Sequence, residues 1–325
     1  MKLNNYLKCA LLLIAMLLCI PGVGQVKAET SSSSSYDSSS PVCEQVVTRE
    51  EKAAETARTT TQIISTRVMN VFAPSPKVST STSGVNSGDA FGELGMGVWA
   101  LGAYSETYVN KSGYRSDSDV GIAMMGVDKL LLDDKLAVGI AAGYENTWSK
   151  ITATGYKEDG SGYSVSPYAA YRVNDAFTVK GMFSATFTDY DANANNPDYS
   201  GTRLVGDVSG EYAWRIAGFI TSFEAGFMYM NEDYNHNIED TYLGEGRLSG
   251  RVSYAFDNGF EPYFRGTFYQ ELINNNRAHM EDHLWEGALG LNYYIGSFAI
   301  SAEGYGAANE DKNNVGGSLL VRFDF

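Results

Sequence analysis

Hydrophobic side chains recur at every second position from about residue 92 to the C-terminus. In one clear stretch, Leu136, Val138 and Ile140 share one face, while small and polar residues up to Glu145 share the other. Because successive side chains of a β-strand point to opposite faces, this period predicts a strand with one apolar face. Twelve such segments begin near residues 95, 120, 135, 162, 177, 201, 219, 242, 260, 283, 298 and 314. This part of the chain is therefore predicted to be all-β.

The second face of these segments carries charge. Seven ionisable residues have its parity: Arg203, Asp207, Glu211, Arg247, Arg251, Arg265 and Glu286. A soluble barrel buries its apolar face and has no room for charges from strand after strand, whereas a membrane barrel turns its apolar face and aromatic girdles toward lipid. We therefore predict a closed 12-stranded antiparallel transmembrane β-barrel whose lumen is lined by these seven charges. A soluble β-protein is the alternative, since sandwiches also alternate.

The last segment ends on an aromatic residue in mid-alternation. Leu319, Val321, Phe323 and Phe325 have one parity, and the chain ends at Phe325. Every backbone donor and acceptor inside a bilayer needs a partner, so a strand in this position must be paired on both sides. The last strand is therefore predicted to pair with the first and close the barrel.

The connections between segments are predicted to alternate in length. Tight turns are expected near residues 132–135, 174–176, 216–218, 257–259 and 296–297. Longer polar loops are expected at 110–119, 150–161, 191–200, 231–240, 273–282 and 309–313. Acidic residues in these loops, among them Glu158 and Glu232, are expected to form a solvated surface.

The N-terminal part has a different composition. Residues 1–28 read as a signal peptide, because Lys2 and Lys8 precede the apolar run 10–20 and a small-residue cleavage site ends at Ala28. Residues 29–47 are Ser-rich and predicted to be a disordered stub. Residues 48–73 are predicted to be a helix, which opens on a capping box at Thr48 and ends before Pro74. Residues 74–91 read as a linker, and 92–325 as the barrel.

The predicted helix has two possible locations. It could lie as a linker on a surface, or it could thread the barrel as a plug. The second location would let the lumen charges hold charged residues of the helix through charge-assisted hydrogen bonds. The candidate helix residues are Arg49, Glu51, Lys52, Glu55 and Arg58. Alternatively, the lumen charges pair only across adjacent strands.

Four stretches resemble a known family: 98–104 (VWALGAY), 125–129 (MGVDK), 136–144 (LAVGIAAGY) and 321–325 (VRFDF). In their order and spacing they are similar to the translocator β-domain of autotransporters, over about 92–325. The resemblance implies a 12-stranded barrel in a Gram-negative outer membrane, a helix through its pore and an exported passenger upstream. It also implies insertion by the barrel assembly machinery, with Phe323 and Phe325 carrying the insertion signal. Here only residues 29–47 precede the helix, so the exported or anchored segment is expected to be very short.

Composition and motifs argue against several other functions. The formal net charge of -15 disfavours nucleic acid as a partner. His279 and His283 have zinc-like spacing but fall in a predicted loop, as does His236, so no metal is expected. No Ser lies beside a His, which speaks against a hydrolase, and no cofactor is expected. Cys43 is the thiol that would remain after loss of the signal peptide, and its role is left open.

The sequence thus predicts a monomeric barrel in contact with outer-membrane lipid that anchors or exports its N-terminal segment. Two alternatives stay open. One is a porin-like channel for small solutes with the helix outside the pore. The other is an adhesion or structural barrel that acts through acidic outer loops.

Overall fold

The computed structural model describes residues 41–72, 96–111, 114–193, 198–216, 218–235, 238–274 and 282–324. Within these ranges one helix, α1, precedes twelve strands. The helix spans Pro41–Phe72. The strands are β1 Met96–Lys111, β2 Tyr114–Leu131, β3 Leu136–Ile151, β4 Lys157–Arg172, β5 Phe177–Ala192, β6 Tyr199–Ile216, β7 Phe219–Tyr234, β8 Thr241–Tyr254, β9 Phe260–Asn274, β10 His283–Ile295, β11 Phe298–Ala308 and β12 Lys312–Asp324.

The strands form one closed antiparallel barrel. Each strand pairs with its neighbours in sequence, and β1 also pairs with β12, from Gly97 opposite Asp324 to Val109 opposite Lys312. Because the first and last strands are joined, the sheet has no free edge. The predicted closure is confirmed.

The barrel turns its apolar face outward. Leu289 is 70% exposed and Met125 is 65% exposed, whereas Arg203 is 1% exposed and Glu232 is fully buried. This distribution is the reverse of that in a soluble protein and matches a wall that faces lipid outside and a polar lumen inside. The predicted orientation is confirmed. No helix within the described ranges has both the length and the apolar content needed to cross a bilayer.

The strands are longer than the sequence predicted. Strand β1 continues to Lys111 and β2 begins at Tyr114, so most of the expected loop at 110–119 is paired strand. The other connections at this end shrink to 152–156, 193–198, 235–240, 275–282 and 309–311. The difference arises because backbone pairing continues beyond the apolar span, where polar side chains meet water. We call this end of the barrel the loop end.

The opposite end carries the connections 132–135, 173–176, 217–218, 255–259 and 296–297, and we call it the turn end. At 132–135, Leu132, Asp133 and Asp134 all adopt positive φ. This left-handed backbone compacts the β2–β3 turn. The three longest connections remain at the loop end, so the predicted difference between the ends persists in weakened form.

Helix α1 begins earlier than predicted. It starts at Pro41 rather than at Thr48, so residues 41–47 of the expected disordered stub are helical. Proline fits the first turn of a helix because its missing N–H would have no partner there. Thr48 is 1% exposed and lies inside the helix, so the apparent capping box does not mark the helix start. The helix ends at Phe72, whose carbonyl accepts a hydrogen bond of 2.8 Å from Arg172.

Helix α1 lies in the lumen. Its small residues Ala53, Ala54 and Ala57 are almost completely buried and belong to a cluster with apolar side chains of the inner wall. These wall residues include Trp99, Leu101, Val120, Ile122, Met124 and Ala141. One side of the lumen, formed by β1–β3, is therefore apolar where it meets the helix, and the interior is not uniformly charged.

Candidate functional site

The first contact between helix and barrel lies near the loop end. Lys52 is 2% exposed and forms an ion pair with Glu158 of β4. The Glu158 carboxylate also accepts hydrogen bonds from the hydroxyl of Tyr199, at 2.6 Å, and from that of Tyr156. The ammonium of Lys52 lies 4.3 Å from the centre of the Tyr190 ring. Carboxylate, phenols and an aromatic face together make a pocket that suits a primary ammonium.

A second buried network stabilises the wall beside this pocket. Arg203 donates to Glu232 at 2.8 Å and to Glu145 at 3.0 Å. Glu232 also accepts a hydrogen bond of 2.7 Å from Tyr190. Since Tyr190 contacts Lys52 as well, the wall network holds one side of the ammonium pocket in place.

The middle of the helix is held by a second carboxylate pocket. The Arg58 guanidinium donates to Glu245 of β8 at 2.8 Å and reaches Glu271 of β9 at 3.4 Å. One turn further, Gln62 donates to Glu286 of β10 at 2.9 Å. Nearer the loop end, on the same face of the helix, Glu51 pairs with Lys312 of β12 at 2.6 Å. Together with Glu158 of β4, these partners come from strands on several sides of the barrel, which places the helix inside the lumen.

The third contact lies near the turn end. Arg67 is fully buried and donates from Nε to Asp128 of β2 at 2.6 Å. Asp128 also accepts a hydrogen bond of 2.7 Å from Tyr168, whose hydroxyl in turn accepts one of 2.8 Å from Trp99. The chain of bonds satisfies the Asp128 carboxylate on two sides and fixes it for Arg67.

Two glycines make room for these aromatic rings. A Cβ atom on Gly139 would lie 2.3 Å from the Tyr168 ring, and one on Gly126 would lie 2.7 Å from the Trp99 ring. Neither distance is compatible with a side chain. The absence of a side chain at both positions therefore leaves the space against the wall that the two rings occupy.

The part of the wall formed by β5–β11, which we call the far wall, carries its own network of ion pairs. Arg247 pairs with Glu224 at 2.9 Å and donates to Asp207 at 3.0 Å, and Lys180 pairs with Glu211 at 3.0 Å. Arg265 bridges Glu286 and Glu303, both at 2.6 Å. Arg251 pairs with Glu261 at 3.1 Å.

The structure places all seven predicted lumen charges inside the barrel, but their partners differ from expectation. Arg203, Asp207, Glu211, Arg247 and Arg265 bind other wall residues. Glu286 binds both Arg265 of the wall and Gln62 of the helix, while Arg251 pairs with Glu261 of the wall and contacts the Met69 sulfur of the helix, at 3.9 Å. Most of the seven thus pair within the wall, but not only across adjacent strands, since Arg203 of β6 also binds Glu145 of β3 and Arg265 of β9 also binds Glu303 of β11. The helix cations are held instead by Glu158, Glu245 and Asp128.

The prediction that Glu158 and Glu232 lie on the solvated loop surface is wrong. Glu158 is 1% exposed and Glu232 is fully buried, and both point into the lumen. The sequence of β7 contains a signal for Glu232, since Glu224 and Glu232 have the same parity while Phe223 has the opposite one and is 58% exposed. Following the parity beyond the apolar span would have placed Glu232 inside.

The remaining predicted residues divide by location. Phe323 is 42% exposed on the outer wall of β12, whereas Phe325 lies outside the described residues. His236 and His279 also lie outside them. Within the described ranges, His, Cys, Asp and Glu side chains form no group of three suited to a metal ion.

The helix leaves limited space in the lumen. A cavity of about 50 Å³ lies between the helix and the far wall, lined by Thr61, Gln62 and Arg247 among others. A larger one of about 500 Å³ lies around Met69 and Phe72 at the turn end. The helix thus fills the middle of the lumen, and free space remains around the C-terminal end of the helix, at the turn end.

Comparisons of this chain with protein-family models and with solved structures bear on its family and its fold. A family model described as autotransporter beta-domain matches residues 98–284. The fold is similar to that of the translocator domain of the autotransporter NalP from Neisseria meningitidis, with a TM-score of 0.61, 11% identity, and coverage of 71% of this chain and 88% of that one. The beta domain of the Bordetella autotransporter BrkA gives a TM-score of 0.60, 17% identity, and coverage of 71% and 100%.

The transport unit of the autotransporter AIDA-I from Escherichia coli is also similar, with a TM-score of 0.56, 13% identity, and coverage of 77% of this chain and 95% of that one. At these identities the structural likeness concerns the fold. A search of curated proteins finds no match to this sequence.

Proposed function

Because the chain belongs to the autotransporter β-domain family, we propose that its barrel carries the segment upstream of α1 across the outer membrane and then retains α1 as a plug. The barrel itself is a translocator-type barrel of a Gram-negative outer membrane. Two statements are proposals: that the upstream segment is exported through the chain's own pore, and that α1 closes the pore afterwards.

The direction of the helix supports this proposal most strongly. Its first half contacts loop-end residues, since Lys52 pairs with Glu158 and Glu51 pairs with Lys312. Its last half contacts turn-end residues, since Arg67 binds Asp128 and Phe72 binds Arg172. In outer-membrane barrels the longer loops face the outside and the short turns face the periplasm. The N-terminus of α1 therefore lies at the outer end of the barrel.

An epitope tag tests this direction. We expect a tag inserted between Ser35 and Tyr36 to bind antibody on intact cells, because this position lies upstream of the loop-end terminus of α1. A matched tag in the turn at 173–176 should bind antibody only after the outer membrane is permeabilised. An upstream tag that reacts only in permeabilised cells would show that the segment stays in the periplasm.

We further propose that the barrel assembly machinery inserts this chain as a monomer and recognises the last strand through outward aromatic side chains. Phe323 lies on the outer wall, on the strand that closes the barrel. We expect Phe323→Ala to lower several-fold the amount of folded, heat-modifiable barrel in outer membranes. Phe264→Ala is the matched control, because Phe264 is 55% exposed on β9, away from the seam. Equal losses in the two variants would mean that Phe323 acts only as lipid-facing surface.

A further inference from the structure

Helix α1 is enclosed on all sides in its first half and leaves a gap along one face of its second half. From Glu50 to Ala57 no residue is more than 5% exposed, and we call residues 50–57 the enclosed segment. Further along, partly exposed residues recur at the spacing of one helix face. They are Gln62, Ser65, Thr66, Met69 and Phe72.

The gap consists of the two cavities between α1 and the wall. The small cavity, of about 50 Å³, extends along α1 from Arg58 to Met69. The large cavity, of about 500 Å³, continues to Phe72 at the turn end. The two cavities adjoin, because they share the lining residues Met69, Ser222 and Arg251. Neither is lined by a residue of the enclosed segment, so the gap starts at the turn end and stops at the level of Arg58.

The size of the wall side chains explains this asymmetry. Beside the enclosed segment the wall contributes tyrosines: the centre of the Tyr190 ring lies 4.3 Å from the Lys52 ammonium, and the Tyr305 hydroxyl lies 3.3 Å from Glu55. Around the large cavity, several wall positions carry small residues, which leave space beside a single helix. They include Ala176, Thr178, Ala213, Ser222 and Ser253.

The small cavity is suited to water. A water molecule needs about 10–15 Å³ of such volume, so the cavity has room for about three or four. The hydroxyls of Thr66, Ser222 and Ser249 lie in its lining. Two further lining atoms, Nη1 of Arg58 and Nε of Arg251, are buried and have no hydrogen-bond partner among the residues that the structure describes. Buried donors of this kind are unfavourable unless water satisfies them.

The large cavity has nearly balanced charge. Its described lining residues include four cations and three acids, namely Arg172, Lys180, Arg215 and Arg251 against Asp175, Glu211 and Glu261. Lys180 pairs with Glu211, and Arg251 pairs with Glu261. Because neither sign dominates, the cavity excludes neither cations nor anions.

We propose that the plugged barrel contains a hydrated half-channel, which opens at the turn end, reaches Arg58 and is closed toward the loop end by the enclosed segment. The half-channel admits water and small solutes of either charge. The barrier is then about 12 Å of helix rather than its whole length. This inference rests on the proposed function, which places the turn end in the periplasm, and it adds which part of the plug separates the two sides.

The reactivity of introduced cysteines in the full-length protein tests the half-channel. Thr178→Cys reports on the large cavity and Thr66→Cys on the small one. Thr56→Cys reports on the enclosed segment, where Thr56 is fully buried and donates to the Lys52 carbonyl at 2.8 Å. All variants carry Cys43→Ser. Purified outer membranes, in which both ends of the barrel are accessible, are treated with a cationic or an anionic methanethiosulfonate, and the modification rates are measured by mass spectrometry.

We expect the rate to fall in the order Thr178→Cys, Thr66→Cys, Thr56→Cys, with reagents of both charges. Thr56→Cys should react at least about 100-fold more slowly than Thr66→Cys, because its thiol is reached only when the helix opens locally. Unfolding in urea should make the three rates equal, and heat-modifiable migration verifies that each variant is folded before the reaction.

A bulky side chain at the junction of the two cavities tests the path between them. Ser222→Phe should slow the modification of Thr66→Cys about tenfold or more, since Ser222 lines both cavities, and leave Thr178→Cys nearly unchanged. Ala225→Phe is the matched control, because Ala225 lies exposed on the outer wall of the same strand, and it should change neither rate. Equal effects of the two phenylalanine substitutions on Thr66→Cys would overturn the path.

The remaining outcomes are distinguishable. Protection of all three thiols would overturn the half-channel and leave the plug intact. Equal rates at Thr56→Cys and Thr66→Cys, both slower than in urea, would overturn the enclosed segment as the barrier. Faster reaction at Thr56→Cys than at Thr178→Cys would place the opening at the loop end, and modification by only one of the two reagents would overturn access for both charges. Reaction of all three thiols at the rate of the unfolded chain would contradict the proposed plug itself.

Discussion

Deletion of residues 41–72 is expected to convert the barrel into an open, cation-selective pore. The helix fills the lumen at mid-height, and a barrel of this size has room for about one helix. Single-channel conductance in planar bilayers should therefore rise roughly tenfold or more over that of the full-length protein. Selectivity follows from charge: removal of Lys52, Arg58 and Arg67 leaves their acidic partners unpaired, whereas removal of Glu51 exposes only Lys312.

The selectivity has its own control. In the helix-free barrel, the changes Glu158→Gln, Glu245→Gln and Asp128→Asn together should abolish the cation preference and leave the high conductance. Heat-modifiable migration of each variant verifies that the barrel is folded. If deletion of the helix left both conductance and selectivity unchanged, α1 would not be the element that closes the lumen, and the porin-like alternative would gain support.

The architecture could be predicted from sequence because its signal is long and periodic. Twelve alternating segments, a charged second face and an apolar C-terminal strand all depend on the two-residue period of a strand. The same period predicted Leu319, Val321 and Phe323 as outward residues, which they are. A resemblance to a family strengthened the plug hypothesis, but the residues themselves already suggested a barrel with a polar lumen.

The helix partners could not be predicted, since the plug changes which side chains the lumen accepts. Val120, Ile122 and Met124 are apolar yet buried inside the barrel, because they pack on the alanine face of α1. From sequence alone such residues blur the alternation of β2 beside Met125, which faces lipid. The location of Glu158 in the lumen could not be predicted for a related reason. Glu158 lies near the start of β4, in a polar stretch that resembles a loop, although β4 already begins at Lys157.

Arg67→Ala is expected to produce the largest loss of stability among single substitutions in the plug. It would leave Asp128 buried, with Tyr168 as its remaining hydrogen-bond donor among the residues that the structure describes. Loss of one partner from a buried ion pair costs about 3–5 kcal/mol. The midpoint temperature of heat-modifiable migration should fall markedly, and release of the helix should appear as increased conductance.

A double-mutant cycle separates the ion pair from general loss of packing. Arg67→Met combined with Asp128→Asn should be less destabilised than the sum of the two single changes, because no uncompensated charge remains. Arg115→Ala serves as the control for loss of a cation, since Arg115 is exposed on β2 and its removal should leave the midpoint nearly unchanged. Additive effects of Arg67→Met and Asp128→Asn would show that the two side chains are not energetically coupled, and that the apolar contacts of the helix with β1–β3 hold its end in place.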